Sequence, residues 1–505
     1  MKRYSTAAAL VLSMFAAGCM VGPDYQRPDA PVSPGFKELN GWKPAQPRDD
    51  TDKGDWWAIY HDPELDRLER MVEVSNQTVK QFEAQYRNAV ALVGEARAGL
   101  FPTIGLTGGV TRSGSGGGSS SSAGNSSSLA AGSSSSGASG GGGGSSGRAT
   151  TIYSVEGNVS WTIDVWGRVR RQIESNVAGA QVSAADLANA KLSAQATLAT
   201  DYFDLRAEDA LEQLLRQTAD AFRRALQIVE NQYRAGTAAS TDMVTARAQL
   251  QSAEAQLVGV GVQRQQFEHA IAMLTGHAPA EITIAPAPLA SAVPVVPPGL
   301  PSALLERRPD IAAAERQMQQ ENALIGVQVA AFYPDISLSA LGGFIGNPLS
   351  QLFTVANRVW SLGAAASETL FSGGARTAAV AAARATYDQF VAVYRQTVLT
   401  AFQQVEDALS SLRILEQQAA AEAIAVSSAR QAVQATLNGY LAGTVAYTSV
   451  ITEQTLLLSD EQAALAIQQS RLVASVALIE ALGGGWSATT LPDPDVVKAA
   501  NPVFP

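Results

Sequence analysis

Residues 231–237 read NQYRAGT, and residues 438–444 read NGYLAGT. The tyrosines of the two stretches, Tyr233 and Tyr440, are 207 residues apart (440 − 233). A long segment without proline precedes each stretch, and a second such segment follows it and ends in glycine. A duplication of this length fixes the architecture as two copies of one unit.

The segments on either side of the first turn have helical periodicity. Residues 168–232 contain no proline, and at about 1.5 Å per residue they predict a helix on the order of 100 Å long. In the return segment only Arg264 interrupts a seam of apolar residues spaced by three and four: Met243, Ala246, Leu250, Ala253, Leu257, Val260, Phe267, Ile271 and Leu274. This seam predicts an antiparallel coiled-coil hairpin, and the duplication predicts a second one.

Alternating apolar and polar residues precede each long helix. The alternation is clearest in residues 153–165 and is typical of a strand in a membrane β-barrel. A second strand is predicted at 103–110, and the other copy repeats the pair at 336–340 and 360–367. Four strands cannot close a barrel, and open sheet edges do not survive in lipid, so closure requires several chains. The predicted fold class is mainly α with a membrane β-barrel and an internal duplication.

The sequence predicts six parts in chain order. These are a signal peptide (1–18), an extended N-terminal arm (19–62), the first structural repeat (63–276), a proline-rich crossover (277–302), the second structural repeat (303–484) and an irregular C-terminal tail (485–505). The first repeat includes a glycine- and serine-rich tract, residues 113–149, which cannot bury a core. Because strand patterns flank this tract, we predict a loop on the side of the membrane opposite the helices. Further helices are predicted at about 63–100 and 302–332.

The N-terminus has the pattern of a bacterial lipoprotein signal. Lys2 and Arg3 precede an apolar stretch that is too short to span a membrane, and small residues lead to Cys19. Cys19 is the only cysteine, which excludes an internal disulfide. We predict a covalent lipid, including palmitate, on Cys19; the alternative is a chance free cysteine. Because one acyl signal binds membranes only marginally, further anchoring is expected.

Composition and motifs exclude several function classes. The net charge of −10 makes nucleic acid an unsuitable partner. His61, His269 and His277 have no metal-ligand spacing. The sequence contains no nucleophile elbow, phosphate-binding loop or dinucleotide fingerprint. The sequence therefore predicts neither an enzyme nor a cofactor beyond the lipid.

Several motifs together resemble the TolC-like outer-membrane factor family, in the lipoprotein branch that serves tripartite efflux pumps. They are Cys19 followed by GPDYQRP (22–28), LLERRPDI (304–311), FYPDI (332–336), LFSGG (370–374) and the two turns quoted above. The resemblance covers nearly the whole chain. It implies a homotrimer whose twelve-stranded outer-membrane barrel, four strands from each chain, continues into a long α-helical periplasmic tunnel.

The same resemblance implies partners and a role. The tunnel would meet a periplasmic adaptor (a membrane fusion protein) and, through it, an inner-membrane pump, most often of the RND type. The chain would then be a passive exit duct for drugs and toxic compounds, with a part in antibiotic resistance. Met20 after the cysteine favours transfer to the outer membrane. The alternatives are an exit duct for metal ions or secreted proteins, or a lipid-anchored periplasmic adaptor or scaffold without a pore.

The residues of the predicted periplasmic tip and gate lie in and near the two turns. The resemblance places the periplasmic tip and adaptor contact at Tyr233, Ala235, Gly236, Thr237, Tyr440, Ala442, Gly443 and Thr444. It also implies a gate in which the phenol of Tyr440 bonds the carboxylate of Asp242. Drug and protein ducts of the family often carry arginine where this chain has Val445, so closure is expected to rest on neutral hydrogen bonds and on packing at the tip. The alternative is that Tyr440 only packs and Asp242 caps the return helix.

Overall fold

The structure is a computed structural model that describes residues 20–32, 35–38, 55–114, 149–296 and 304–500. The predicted signal peptide, Cys19 and most of the glycine- and serine-rich tract lie outside the described residues, as do parts of the arm, crossover and tail.

The described elements alternate between helices and strand pairs. The helices are α1 (Pro63–Ser75), α2 (Gln77–Ala98), α3 (Arg168–Arg234), α4 (Ser240–Leu274), α5 (Leu304–Arg307), α6 (Pro309–Ala330), α7 (Ala375–Leu441), α8 (Tyr447–Ala481) and α9 (Pro494–Ala499). The strands are β1 (Thr103–Ser113), β2 (Thr150–Ile163), β3 (Asp335–Gly346) and β4 (Arg358–Ser367). Single 3₁₀ turns lie at Trp56–Tyr60, Pro279–Glu281, Leu349–Gln351, Val355–Asn357 and Ala488–Thr490.

The chain forms two compact units. The strand unit contains the described residues of Met1–Val21, Ala96–Arg170 and Val327–Thr377. The helix unit contains those of Gly22–Glu95, Arg171–Gly326 and Ala378–Pro505.

A single antiparallel sheet of four strands, in the order β1-β2-β3-β4, forms the strand unit. Its register places Thr103 opposite Ser160 and Asp335 opposite Ser367. Among the residues that the structure describes, β1 and β4 each pair along one side only. Large apolar side chains are exposed on both of these edge strands: Ile104, Leu106 and Val110 on β1, and Trp360 and Leu362 on β4.

The duplication is visible in the helix lengths. Both α3 and α7 have 67 residues, and both α4 and α8 have 35. The predicted seam of α4 supplies buried residues, among them Ala246, Leu250, Ala253, Val260 and Ile271. The predicted fold class is confirmed: the chain is mainly α, with duplicated pairs of strands and long helices. In the described parts of the chain, no helix is both long and apolar enough to cross a membrane.

Arg264, which interrupts the seam, holds the crossover between the two copies. Its Nε donates to Asp209 Oδ1 at 2.6 Å, and a terminal nitrogen donates to the carbonyl of Ile284 at 2.7 Å. Arg206 adds a bond to the carbonyl of Ala285 at 2.7 Å. The charged interruption therefore fixes the extended crossover onto α3 and α4.

Three sequence predictions differ from the structure. The helix predicted at about 63–100 is broken at Asn76, whose extended backbone and side chain end α1 and begin α2. The helix predicted at 302–332 is interrupted before Pro309, because a residue that precedes proline avoids the helical region. The tail predicted as irregular contains α9, whose N-terminal cap is the Asp493 carboxylate, 2.7 Å from the Asp495 amide.

Candidate functional site at the two helical turns

The two turns have the same backbone structure. In the first, the amide of Gly236 donates to the carbonyl of Tyr233 at 3.0 Å; in the second, Gly443 donates to Tyr440 at 3.0 Å. The two glycines have φ values of 77° and 73°. A side chain at this left-handed position would be strained, so glycine ends each long helix in the same way.

Most residues of the two turns are available to a partner. Six residues of the predicted contact set are exposed as a group: Ala235, Gly236, Thr237, Ala442, Gly443 and Thr444. Tyr233 is also exposed, whereas Tyr440 is half-buried. The two tyrosines, which the sequence treats as equivalent, therefore differ: the first faces solvent and the second takes part in packing.

A small apolar cluster joins the two turns. Val229, Ala246, Tyr447 and Val450 are buried in it, so α3, α4 and α8 all contribute. Tyr440 of α7 packs against this cluster, with its ring 5.2 Å from that of Tyr447. Packing at the end of the helices thus couples the first hairpin to the second.

The hydroxyl of Tyr440 donates a hydrogen bond to Oε1 of Gln232. The gate predicted from the resemblance pairs this hydroxyl with Asp242 instead. The Asp242 carboxylate is nevertheless close: burial raises the pKa of Tyr440, and the charge of Asp242 raises it further. The pKa of Tyr447 rises to about 12 through burial and through the charges of Tyr440 and Asp242. A role for Tyr440 and Asp242 in closing the tip stays a prediction.

Asp242 does not occupy the cap position. The cap residue of α4 is Ala239, and Asp242 lies in the first turn. A carboxylate there is stabilised by the positive end of the helix dipole. Asp242 therefore does not cap the return helix with a hydrogen bond, as the alternative prediction has it, but its charge stabilises the N-terminus of that helix.

Gln232 is the site residue that the sequence reasoning missed. It precedes Tyr233 in the first turn, and the corresponding position in the second copy is Gly439. This difference between the copies was the signal that could have identified Gln232. The first copy has an amide side chain at this position and the second copy has none, so only the first copy can bond to Tyr440 from it.

Two contacts hold the described residues that follow Cys19. In the strand unit, the amide of Val21 donates to the carbonyl of Trp166 at 3.1 Å. In the helix unit, Arg171 is buried and bonds Asp24 at 2.8 Å and Glu174 at 2.7 Å. The arm is thus fixed immediately after the predicted lipidation site, which itself lies outside the described residues.

Among the described residues, no group of three or more His, Cys, Asp or Glu side chains could hold a metal ion. This observation concerns those residues only.

Known proteins resemble the chain over most of its length. The profile of a family described as outer membrane efflux protein matches residues 70–277 and 300–484. The solvent efflux pump outer membrane protein SrpC of Pseudomonas putida is 30% identical over 496 residues, which cover 95% of this chain and 98% of the relative. The toluene efflux pump outer membrane protein TtgC, also of Pseudomonas putida, is 28% identical over 491 residues, covering 95% of both chains. The solved structure of the outer-membrane channel OprN has a TM-score of 0.82 at 27% identity and covers 93% of this chain and 100% of that one.

Proposed function

We propose, because this chain belongs to the outer membrane efflux protein family, that it is the exit duct of a tripartite efflux system in the outer membrane. The observation that carries the proposal is an open sheet of four strands in the same chain as two long hairpins of equal length. A periplasmic scaffold without a pore would have no use for such a sheet with exposed apolar edge strands.

The sheet supports a homotrimer. Lipid offers no hydrogen-bond partners, so the free edges of β1 and β4 must be satisfied by other chains. The strands run antiparallel in sequence order, so β4 of one chain can pair with β1 of the next without reversing the pattern. Three chains would give twelve strands, an even number in the range of outer-membrane barrels.

The exposed turns support a periplasmic partner. We assign the tip residues Tyr233, Ala235, Gly236, Thr237, Tyr440, Ala442, Gly443 and Thr444 to contact with a periplasmic adaptor. The adaptor would connect the duct to an inner-membrane pump of the RND type, which supplies the energy. The duct itself would be passive and would release what the pump delivers.

The substrates proposed are toxic organic compounds, including drugs. The printed names of SrpC and TtgC, solvent and toluene efflux proteins, support this class. Metal ions and secreted proteins are the other cargoes that the sequence left open. A strain that lacks the gene should become sensitive to toluene and to lipophilic antibiotics, and the wild-type gene should restore resistance. Sensitivity to metal salts alone would contradict the substrate class.

We also propose that the chain is anchored by a lipid on Cys19 as well as by the barrel. Labelling with radioactive palmitate should mark the wild-type protein and should not mark Cys19→Ala. The Cys19→Ala chain should still reach the outer membrane, because the barrel provides the stronger anchor. If the Cys19→Ala protein were soluble, the proposed barrel would be contradicted, and the proposed lipid on Cys19 would not.

A further inference from the structure

The two faces of the four-stranded sheet carry different side chains. Residues that lie opposite one another in adjacent strands share a face, so the register assigns each strand residue to one face. On one face serine, threonine and glycine predominate, and we call it the polar face. We call the other the apolar face; its large side chains are Ile104, Leu106, Val110, Tyr153, Val155, Val159, Trp161, Ile163, Ile336, Leu338, Phe344, Trp360 and Leu362.

Charge is divided between these faces by sign. The four strands contain four charged residues. Glu156 and Asp335 lie on the polar face, because their register partners include Thr107 and Ser367. The other two, Arg112 and Arg358, lie on the apolar face and are exposed. The acidic groups of the sheet therefore cannot neutralise the two arginines across a shared face.

Both arginines lie at the same end of the sheet. Arg112 is the last apolar-face residue of β1, next to the glycine- and serine-rich tract, and Arg358 is the first residue of β4, after the connection 347–357. Neither residues 114–149 nor residues 347–357 include an aspartate or glutamate. This end of the apolar face is therefore basic, and the sequence next to it supplies no acidic partner.

The distance between the ends of β4 places the arginines at a membrane boundary. Arg358 and Ala366, the apolar-face residues at the two ends of β4, are eight residues apart (366 − 358), or about 26 Å along the strand. A strand tilted by about 40° spans about 20 Å of bilayer with this length, slightly less than the apolar band of about 25 Å in outer-membrane barrels. A long arginine side chain can extend the remaining distance to the lipid head groups.

Aromatic rings surround the position of Arg358. It lies opposite Phe344 in the register, and the ring of Phe344 is 5.4 Å from that of Phe353 in the connection. Phe353 is 68% exposed, and Trp360, two residues further on the same face, is 71% exposed. A ligand that fits this surface must offer an anion to the guanidinium group and apolar chains to the rings.

We propose that Arg112 and Arg358 bind the phosphate groups of lipids in the outer leaflet of the outer membrane, with the acyl chains of those lipids on the apolar face. A guanidinium group binds phosphate through two parallel hydrogen bonds, which makes arginine well suited to this role. The alternation of the strands places both arginines on the lipid side, and the lack of acidic neighbours leaves their charge to the lipid.

This inference rests on the proposed barrel and adds a lipid site to its outer rim. Within one chain, β1 and β4 are three strand spacings apart, or about 14 Å. In a closed barrel β4 of one chain would neighbour β1 of the next, so Arg358 would lie near Arg112 of the partner subunit. A lipid that carries two phosphates would then meet one arginine from each chain.

Native mass spectrometry of the purified trimer with bisphosphorylated lipid A tests this site. The wild-type protein should retain lipid A, and the double variant Arg112→Gln with Arg358→Gln should bind it at least about tenfold more weakly. The double variant with lysine at both positions should bind with intermediate affinity, because lysine keeps the charge and loses the paired hydrogen bonds. Glu156→Gln, on the polar face, is the control and should bind as the wild type does.

Two further ligands identify which part of the lipid is recognised. Lipid A from which both phosphates have been removed should be retained as weakly by the wild type as intact lipid A is by the double glutamine variant. Inorganic phosphate in large excess should not displace intact lipid A, because it offers nothing to the apolar face. Equal retention of lipid A with and without phosphates would overturn the proposed phosphate site, and displacement by inorganic phosphate would show a site for free anions instead.

The temperature at which the trimer dissociates gives a second measurement. Lipid A should raise this temperature for the wild type and should raise it less for the double glutamine variant. Because both arginines are exposed, this variant should still assemble, which a heat-sensitive trimer on gels would confirm. Equal effects of lipid A on the wild type and the variant would overturn the lipid site and leave the proposed function intact. Absence of any trimer in wild-type outer membranes would instead defeat the proposed exit duct.

Discussion

At the scale of single residues, Glu69 is the most unusual carboxyl group of the described chain. It lies on the inward face of α1, fully buried, and neither carboxylate oxygen has a hydrogen-bond partner among the described residues. Burial raises its pKa from 4.5 to about 9. The folded protein therefore holds a proton on Glu69 at neutral pH, whereas the unfolded chain releases it.

This burial predicts a pH dependence of stability. Between pH 4.5 and about 9 the folded state binds more protons at Glu69 than the unfolded state does, so stability falls as the pH rises. Glu69→Gln should stabilise the protein at pH 8 by more than about 1.4 kcal/mol, the equivalent of one pKa unit. Thermal loss of the helical circular dichroism at pH 5 and pH 8 measures the effect. Glu83→Gln, at an exposed position of α2, is the matched control and should leave the pH dependence unchanged. Equal behaviour of the two variants would contradict the assignment.

The bond between Tyr440 and Gln232 leads to a second prediction at this scale. A neutral hydrogen bond contributes about 0.5–1.5 kcal/mol, and a trimer would contain three copies. Tyr440→Phe and Gln232→Ala should each raise the open probability of single channels, and the double variant should add little to either. Tyr233→Phe is the control, because Tyr233 is exposed. If only Asp242→Ala opened the channel, the carboxylate of the predicted gate would be the partner that matters.

At the scale of elements, the long helices and strands could be predicted because their patterns are local. The 67-residue helix α3 contains no proline and lies between two glycines, so the sequence indicates where it begins and where it ends. The break at Asn76 could not be read in this way, because asparagine also occurs within helices. It is caused by the Asn76 side chain, which accepts a local capping bond from Val79 N at 3.0 Å and donates to Leu274 O at 2.7 Å, a distant carbonyl that only the folded chain brings near. The hydroxyl partner of Tyr440 was missed for the same reason.

Asn76 should therefore contribute more to the stability of the fold than its neighbours do. Asn76→Ala removes the cap of α2 and leaves the last carbonyl of α4 unpaired, and a lost cap costs about 0.5–2 kcal/mol. Thermal unfolding should show this loss, and the exposed neighbour Thr78→Ala should show little change. A Cβ on Gly276 would lie 2.2 Å from the carbonyl oxygen of Ser75, so the two backbones approach closely there. Equal melting of Asn76→Ala and the wild type would mean that this backbone contact, rather than the Asn76 side chain, holds the junction.

At the scale of the whole molecule, the glycine- and serine-rich tract 113–149 remains a prediction, since residues 115–148 lie outside the described ones. The strands that it joins are paired directly, with Ser113 opposite Thr150. A much shorter connection could therefore close the hairpin. Replacing the tract by a short turn should leave trimer formation and export intact. Loss of the heat-sensitive trimer in this variant, with normal protein levels, would show that the tract takes part in assembly.

We propose that several copies of this chain together enclose a passage through the outer membrane. Recording the purified protein in planar lipid bilayers tests it most directly. We expect small, discrete conductance steps from a channel that is closed most of the time, and only from the trimeric fraction. A lipidated protein that stays monomeric and never conducts would contradict it.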